Sequence, residues 1–409
     1  MGAGALIVGA SLAGLRLAEQ LRASGYTGPI TVIGAEPHMP YNRPPLSKGV
    51  LVDEPATGPG QSSQLAQLAF SIRPSLGDVT WHLGVSAVAA HLDRRVVELA
   101  DGQQINYEVL GIATGLSPRR LPIAGGEKDR HVVRTIDDSV RLRAALLPGT
   151  NVVVVGGGFV GCEVAASAKK RGCTVTIVEP LARPMLRSIG PELARALQDY
   201  HVANGVHMRL GVAVAGLECH AADSTRLRSV ALDDGSELPA SVLIEAIGST
   251  CNAGWLEGND LDLSDGVLTD NAMCATGWRG VVAVGDVARF PNPRYGQTPR
   301  RVEHWAIPAL TAKRAAESLA RSLLGKDPET KVFNPIPTFW SDQFGIRLQS
   351  MGMPGLADRA ELLEGSLSEL GQQGREGMAM GYWRGSILTG VVTIGLPVAR
   401  LSHYREMLN

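Results

Sequence analysis

The run Ala5-Leu6-Ile7-Val8 is apolar at every position, which predicts a short strand buried on both faces. Gly9-Ala10-Ser11-Leu12-Ala13-Gly14 follows as a turn, residues 15–23 carry apolar positions at helical spacing, and a second strand over 30–33 ends just before Glu36. The same succession returns further along. A strand over 151–155 leads into Gly156-Gly157-Gly158-Phe159-Val160-Gly161, a helix to Lys170 and a strand over 175–178 that closes at Glu179. Each copy is a strand, a glycine turn, a helix and a strand ending near an acid. That order lays a dinucleotide pyrophosphate on a helix N-terminus.

Other segments extend the pattern. Val109-Leu110-Gly111-Ile112-Ala113-Thr114-Gly115 predicts a buried strand ending in a small-residue turn. Strand patterns recur over 227–232 and 242–247, and a third buried run over 280–284 stops at Gly285-Asp286. Residues 54–64, rich in Pro, Gly and Ser, predict a surface loop. From Lys331 onward hairpin-like strands over 346–351 and 387–393 and a helix over 400–408 read as a separate α+β domain. The fold class is α/β with two dinucleotide-binding units.

Composition narrows the class. A chain of 409 residues, 44% hydrophobic and 19% charged, can bury two or three domain cores and is unlike a disordered chain. Its 48 glycines follow no period, which points to tight turns and close backbone approaches. With 39 basic against 40 acidic residues the net charge is −1, so no global field favours nucleic acid or an anionic membrane. The five cysteines, an odd number, make no disulfide framework and fit a reducing cytosol. No apolar run reaches the length of a membrane span, and the apolar N-terminus lacks the basic start of a signal peptide. A soluble cytoplasmic protein is expected.

The two fingerprints differ in their chemistry. The second has the full Gly156, Gly158, Gly161 set, and Glu179 is placed to accept hydrogen bonds from an adenosine ribose. A carboxylate there repels a 2′-phosphate and favours NADH over NADPH, whereas Arg183 and Arg187 are the residues that could pair such a phosphate. In the first, Ser11 replaces the middle glycine, and its hydroxyl can donate to a phosphate oxygen. Asp286, at the end of a late strand, suits an FAD site, where it can accept from the ribityl chain.

Taken with Arg43-Pro44-Pro45-Leu46-Ser47-Lys48, Ala113-Thr114-Gly115, Arg134-Thr135, the stretch from Gly156 to Glu163, Gly285-Asp286, Val302-Glu303-His304-Trp305 and Trp340-Ser341-Asp342-Gln343, the chain resembles the FAD-dependent ferredoxin reductases of bacterial oxygenase systems, the family of putidaredoxin reductase and biphenyl dioxygenase ferredoxin reductase. The resemblance implies a glutathione-reductase-like fold: an FAD domain over 1–115 and 248–328, an NAD domain over 116–247 and a C-terminal interface domain over 329–409. It places FAD at Gly9, Ser11, Ala13, Gly14, Glu36, Arg43, Lys48, Val88 (through its backbone), Ala113, Thr114, Gly115, Arg134, Asp286 and Trp305. NAD falls to Gly156, Gly158, Val160, Gly161, Glu179, Arg187 and Gly248. The tail Gly395-Leu396-Pro397 departs from the family's Asn-containing pattern.

Lys48 and Glu163 are the expected catalytic pair. By the resemblance they meet beside the flavin, where the pair positions nicotinamide and the ammonium stabilises negative charge on reduced flavin. Read without it, Glu163 is an acid in a first helical turn, favoured by the helix dipole, and Lys48 a surface lysine. His304 is given no acid–base role, and no His/Cys spacing matches a metal site. Disulfide reductases on this fold need a cysteine facing the flavin, and residues 40–48 contain none, nor does Cys-x-x-Cys occur anywhere.

Electrons from NADH are therefore expected to leave FAD for an external ferredoxin that feeds a haem monooxygenase or a ring-hydroxylating dioxygenase. A rubredoxin reductase and an NADH oxidase are the nearest alternatives, and an apoptosis-inducing-factor-like binding protein is the alternative of another class. Residues 289–314 hold Arg289, Arg294, Arg300, Arg301, Lys313 and Arg314 against one acid, Glu303. An acidic ferredoxin is expected to dock near Arg300, Arg301, Lys313 and Arg314, with Arg301 the preferred contact. The chain is expected to be a monomer or weak homodimer.

Overall fold

The computed structural model describes residues 4–53, 64–328, 331–370 and 377–409. The loop expected over 54–64 lies outside the described residues except for Gln64, which opens a short helix, Gln64–Leu68; residue 329, the expected start of the last domain, also lies outside. The chain forms two compact units. The first comprises Met1–Asn42, Leu65–Ser117 and Thr250–Thr338, and the second Arg43–Gln64, Pro118–Ser249 and Phe339–Asn409.

In the first unit a five-stranded parallel sheet has the spatial order Val281–Ala283, Val109–Ile112, Ala5–Val8, Ile30–Gly34, Thr80–Leu83. All four residues of Ala5–Val8 are buried, as a central strand covered on both faces requires. Helix Leu12–Ala23 leaves the glycine turn and packs against helix Ile307–Leu323. A small antiparallel sheet of Ala87–His91, Val96–Leu99 and Gln104–Asn106 is attached.

The second unit repeats the plan. Its parallel sheet runs His207–Leu210, Thr174–Glu179, Asn151–Val155, Val242–Glu245, Arg130–His131. Asn151–Val155 is β-branched at every position but the first, which suits a strand enclosed on both faces. In both sheets the fingerprint strand is central, with its successor on one side and a much later strand on the other. The glycine turn thus opens at the point where strand order reverses, which is where open α/β sheets bind ligands.

Residues 339–409 belong to this second unit. Their antiparallel sheet, in the order Thr338–Gln343, Ile346–Gly352, Ile387–Ile394, Met378–Arg384, Arg359–Glu364, is followed by helix Val398–Met407. Leu348, Met380 and Val392 from that sheet share one buried core with Val152, Ile177 and Leu193 of the nucleotide half. Tyr382 adds a hydrogen bond of 2.6 Å from its buried hydroxyl to the Ile189 carbonyl. Among the described residues no helix is long and apolar enough to cross a membrane.

Candidate active site

In the first unit the glycine turn is fixed by backbone contact. Gly9 has a φ of +122°, and a Cβ there would lie 2.1 Å from the Ala113 carbonyl oxygen. The turn is thereby pressed against Ala113-Thr114-Gly115, and Ala113 N–H donates to the Val8 carbonyl at 2.7 Å. Gly14 lets helix Leu12–Ala23 approach Gly9 in the same way, since its Cβ would sit 1.9 Å from the Gly9 oxygen. Ser11 is the extended N-cap of that helix and does not cap it through its side chain. Gly285 closes on Ala13, whose Cβ would be 2.8 Å from an added one, and Gly285 N–H donates to Thr311 Oγ1 at 3.0 Å. Asp286 therefore stands next to the N-terminal turn of the helix. A crevice floored by backbone at a helix N-terminus, with a carboxylate at its side, fits an FAD pyrophosphate and ribityl chain.

The other residues of this half expected at FAD lie outside the glycine turn. Glu36 accepts a 2.5 Å hydrogen bond from the Tyr41 hydroxyl. Val88 lies at an irregularity of the Ala87–His91 ladder with its side chain exposed, so its backbone is out of register with Val96–Leu99. Trp305 is 44% exposed, a large area for an indole. Burial pushes the His304 imidazole down to about 4, which keeps it neutral at physiological pH. Asn252 was not singled out from the sequence. It clamps the Thr114 turn, donating to the Thr114 carbonyl at 3.0 Å while its own carbonyl accepts from Thr114 Oγ1 at 2.6 Å.

Arg43, Lys48 and Arg134, the other residues expected at FAD, belong to the second unit. Arg43 donates to the Arg134 carbonyl at 2.6 Å. Pro44–Ser47 forms a 3-10 turn, and at its end Lys48 meets Glu163, with Nζ 2.7 Å from Oε2. Glu163 is buried, and its helix, Phe159–Lys170, starts early enough to place it at the fifth position rather than in the first turn. The expected dipole argument is corrected accordingly: side chains hold this carboxylate. Ser47 Oγ donates to Oε2 at 2.6 Å and Ser341 Oγ to Oε1 at 2.6 Å. Lys48 Nζ also donates to the Pro44 carbonyl at 3.1 Å. Ser167, one turn beyond Glu163 on the same helix face, donates to the Ser47 carbonyl at 2.7 Å. Ser47 and Ser341 lie inside motifs that carry the resemblance, yet nothing local in the sequence assigned them to Glu163, and Ser167 lies outside those motifs.

The second fingerprint is built like the first. Gly156 has a φ of +101° and a virtual Cβ 2.3 Å from the Ala246 oxygen, while at Gly158 and Gly248 a Cβ would meet nothing within 4 Å. The space over the N-terminus of helix Phe159–Lys170 is thus open to a phosphate, with Gly161 packed under the turn and Val160 exposed at its rim. Glu179 accepts from Gly157 N–H at 2.7 Å and Leu181 N–H at 2.9 Å, which fixes its carboxylate beside the turn. Arg183 donates to Gln198 Oε1 at 3.0 Å, whereas Arg187 is exposed.

The basic segment is less available than its count suggests. Arg314 is buried, pairs with Glu317 and donates to the Asn271 and Lys331 carbonyls, so it presents no charge to a partner. Arg301 is 14% exposed and already neutralised by Asp265 at 2.7 Å and Glu303 at 2.9 Å. Both expectations for docking are corrected by these partners. Lys313 is exposed, and the Arg300 guanidinium donates to the Tyr295 and Thr298 carbonyls.

All five cysteines are unpaired, and burial pushes the Cys162, Cys173, Cys251 and Cys274 thiols up, away from the thiolate. Among the described residues no cluster of His, Cys, Asp and Glu could hold a metal.

Comparison with known proteins places these features in context. Residues 4–307 match the pyridine nucleotide-disulphide oxidoreductase family. The ferredoxin–NAD(+) reductase component of the p-cumate 2,3-dioxygenase system of Pseudomonas putida is 37% identical over 350 residues, 85% of this chain and 80% of the relative. Putidaredoxin reductase of Pseudomonas putida is 32% identical over 397 residues, 96% of this chain and 89% of its own. The crystal structure of the covalent putidaredoxin reductase–putidaredoxin complex matches with a TM-score of 0.87 at 30% identity, covering 100% of this chain and 93% of that one.

Proposed function

Because this chain belongs to the pyridine nucleotide-disulphide oxidoreductase family, and burial raises the Cys162, Cys173, Cys251 and Cys274 thiols away from the thiolate that exchange needs, we propose that it passes electrons outward to a protein acceptor. It is an NADH-dependent ferredoxin reductase that uses FAD and NAD(H), with a ferredoxin as its partner in an oxygenase system. The chemistry that bound FAD would supply is the change from the electron pair of NADH to single electrons.

The protein's own contribution centres on Lys48 and Glu163. Their 2.7 Å contact is the observation that carries the reading, because a buried carboxylate facing an ammonium is a fixed pair of charges next to the nucleotide-binding helix. Lys48 supplies positive charge where electron density accumulates, and Glu163 aims it and orients the nicotinamide. We assign the FAD role to the residues of the first fingerprint with Arg43, Lys48 and Arg134, and the NAD role to those of the second. The corresponding domains are 1–115 with 248–328 for FAD, 116–247 for NAD and 329–409 for the interface, the last sharing the core of the second unit. Arg300 and Lys313 are the docking charges that remain for an acidic ferredoxin. A cytoplasmic monomer or weak homodimer suits this work, since no step calls for a second chain.

The test is NADH-dependent cytochrome c reduction with and without an added ferredoxin, putidaredoxin being the first probe and rubredoxin the competing acceptor. Rapid reduction is expected only with a ferredoxin. Equal NADH consumption by dioxygen alone, or activity with rubredoxin and no ferredoxin, overturns the assignment.

Coenzyme choice gives a second expectation. Glu179→Ala removes the acceptor for two backbone N–H groups and the repulsion of a 2′-phosphate together. kcat/KM for NADH is expected to fall roughly 10- to 100-fold, as the loss of charged hydrogen bonds predicts. The NADPH value should fall less, narrowing the preference. A wild-type enzyme that already turns over both equally would transfer the choice to the exposed Arg187.

A further inference from the structure

Glu163 Oε1 is served by a hydroxyl from a strand nearly two hundred positions away in the chain, and that hydroxyl is not isolated. Ser341 Oγ is 2.6 Å from Glu163 Oε1, and Gln343 Nε2 lies 2.9 Å from Ser341 Oγ. Gln343 Oε1 lies 2.7 Å from His201 Nε2. All three residues are buried: Ser341 is 1% exposed, Gln343 2% and His201 0%. Ser341 and Gln343 occupy the same face of strand Thr338–Gln343, two residues apart, and His201 projects from helix Leu186–Ala203.

Proton counting gives this chain one direction. A carboxylate opposite an ammonium accepts only, so the single Ser341 proton points at Glu163. Ser341 Oγ must then accept, which turns the Gln343 amide nitrogen toward it and the amide oxygen toward His201. That oxygen needs a donor, so His201 carries its proton on Nε2. Among the described residues Nδ1 of His201 is buried without a hydrogen-bond partner, and burial lowers the pKa of the ring, which both fit a neutral imidazole with a bare Nδ1. Phe344 packs edge-on against the ring, with centroids 5.1 Å apart.

We propose that Ser341, Gln343 and His201 are positioning residues for hydride transfer: their one-way hydrogen-bond chain fixes the Glu163 carboxylate by Oε1 so that Oε2 faces Lys48. The inference rests on the assignment of Glu163 and Lys48 above. Without the Ser341 hydroxyl the carboxylate keeps its contacts on one oxygen and can rotate about them, and the ammonium it aims moves with it. Displacements on the order of 1 Å in such groups cost up to about a hundredfold in rate.

The test follows anaerobic reduction of FAD by NADH in the holoenzyme, in wild type and in Ser341→Ala, Ser341→Thr, Gln343→Leu and Glu163→Gln. Ser341→Ala is expected to lower the limiting rate constant roughly tenfold with little change in NADH affinity. Ser341→Thr, which keeps the hydroxyl, should recover most of it, and Gln343→Leu should give a smaller loss of the same kind. Nitrogen-15 spectra of the wild-type histidines should show His201 neutral and protonated on Nε2, a readout that needs no variant to fold.

If Glu163→Gln is slow while Ser341→Ala is as fast as wild type, the chain has no positioning role and the assignment of Glu163 stands. If Glu163→Gln is itself as fast as wild type, the assignment fails and takes the inference with it. A Ser341→Ala defect that Ser341→Thr does not recover, or a His201 protonated on Nδ1, also overturns the proposal.

Discussion

Removing either member of the Lys48–Glu163 pair is expected to slow single-turnover reduction of FAD by NADH by roughly a hundredfold, the cost of deleting one preorganised electrostatic partner. FAD should stay bound, because Lys48 is one contact among many and the backbone-lined crevice around Gly9, Ala113 and Gly285 is left intact in either variant. Lys48→Ala leaves Glu163 held by Ser47 and Ser341, and Glu163→Ala leaves Lys48 on the Pro44 carbonyl and Ser47 Oγ. Each residue thus survives its partner's loss in place but without its opposite charge. The double variant should be little slower than the slower single variant, since one interaction is lost in all three. Stopped-flow traces at saturating NADH measure this directly. Multiplicative effects would mean that the two side chains act on the reaction separately.

The second large effect concerns stability. Glu245 ends strand Val242–Glu245 with its side chain fully buried, between Arg130 at 2.7 Å and Arg120 at 2.6 Å, and it accepts Leu121 N–H at 2.8 Å. Burial pushes its carboxyl up, but the hydrogen bonds from Arg130, Arg120 and Leu121 outweigh burial and hold it below the usual carboxylate value. Arg130 reaches on from there to the Leu121 and Ile123 carbonyls, so one carboxylate organises the whole segment 121–130. Glu245→Ala would leave the Arg130 guanidinium, 10% exposed, without the carboxylate it pairs with. Breaking a buried pair from one side costs about 3–5 kcal/mol. A drop of that size in the urea unfolding free energy is expected, and an unchanged midpoint would show that water reaches Arg130 freely. Because the folded carboxyl sits below its unfolded value, its contribution is complete above the unfolded pKa. It is lost as pH falls through the folded one.

How much of this could be read along the chain depends on how far apart the partners lie. The two strand–turn–helix units were legible because their signals are local. Apolar runs at 5–8 and 151–155, glycines at fixed offsets and a terminal acid lie within one supersecondary unit. Strand ends shifted by a residue or two, as at Thr174–Glu179, where an exposed threonine joins the buried run. The surroundings of Glu163 were not legible. Ser341 comes from the far end of the chain, and its hydroxyl differs in no local respect from any other strand serine. Glu245 did carry a signal. A glutamate inside the apolar run 242–247 must be paired if that run is buried, although the sequence does not say with which arginine. The docking charges show the opposite error. Counting Arg301 and Arg314 ignored Asp265, which neutralises Arg301 from another segment, and Glu317, which pairs with Arg314 one turn on in the same helix.

The shared core of the second unit sets the terms on which this reductase can be recombined with its relatives. Leu348, Met380 and Val392 interlock with Val152, Ile177 and Leu193, and His201 bonds to Gln343 across the same packing. A graft of residues 339–409 from another reductase would carry core side chains shaped to a different nucleotide sheet. Recombination that aims to change the electron acceptor is therefore better served by exchanging Pro118–Ser249 and Phe339–Asn409 together than by exchanging the tail alone.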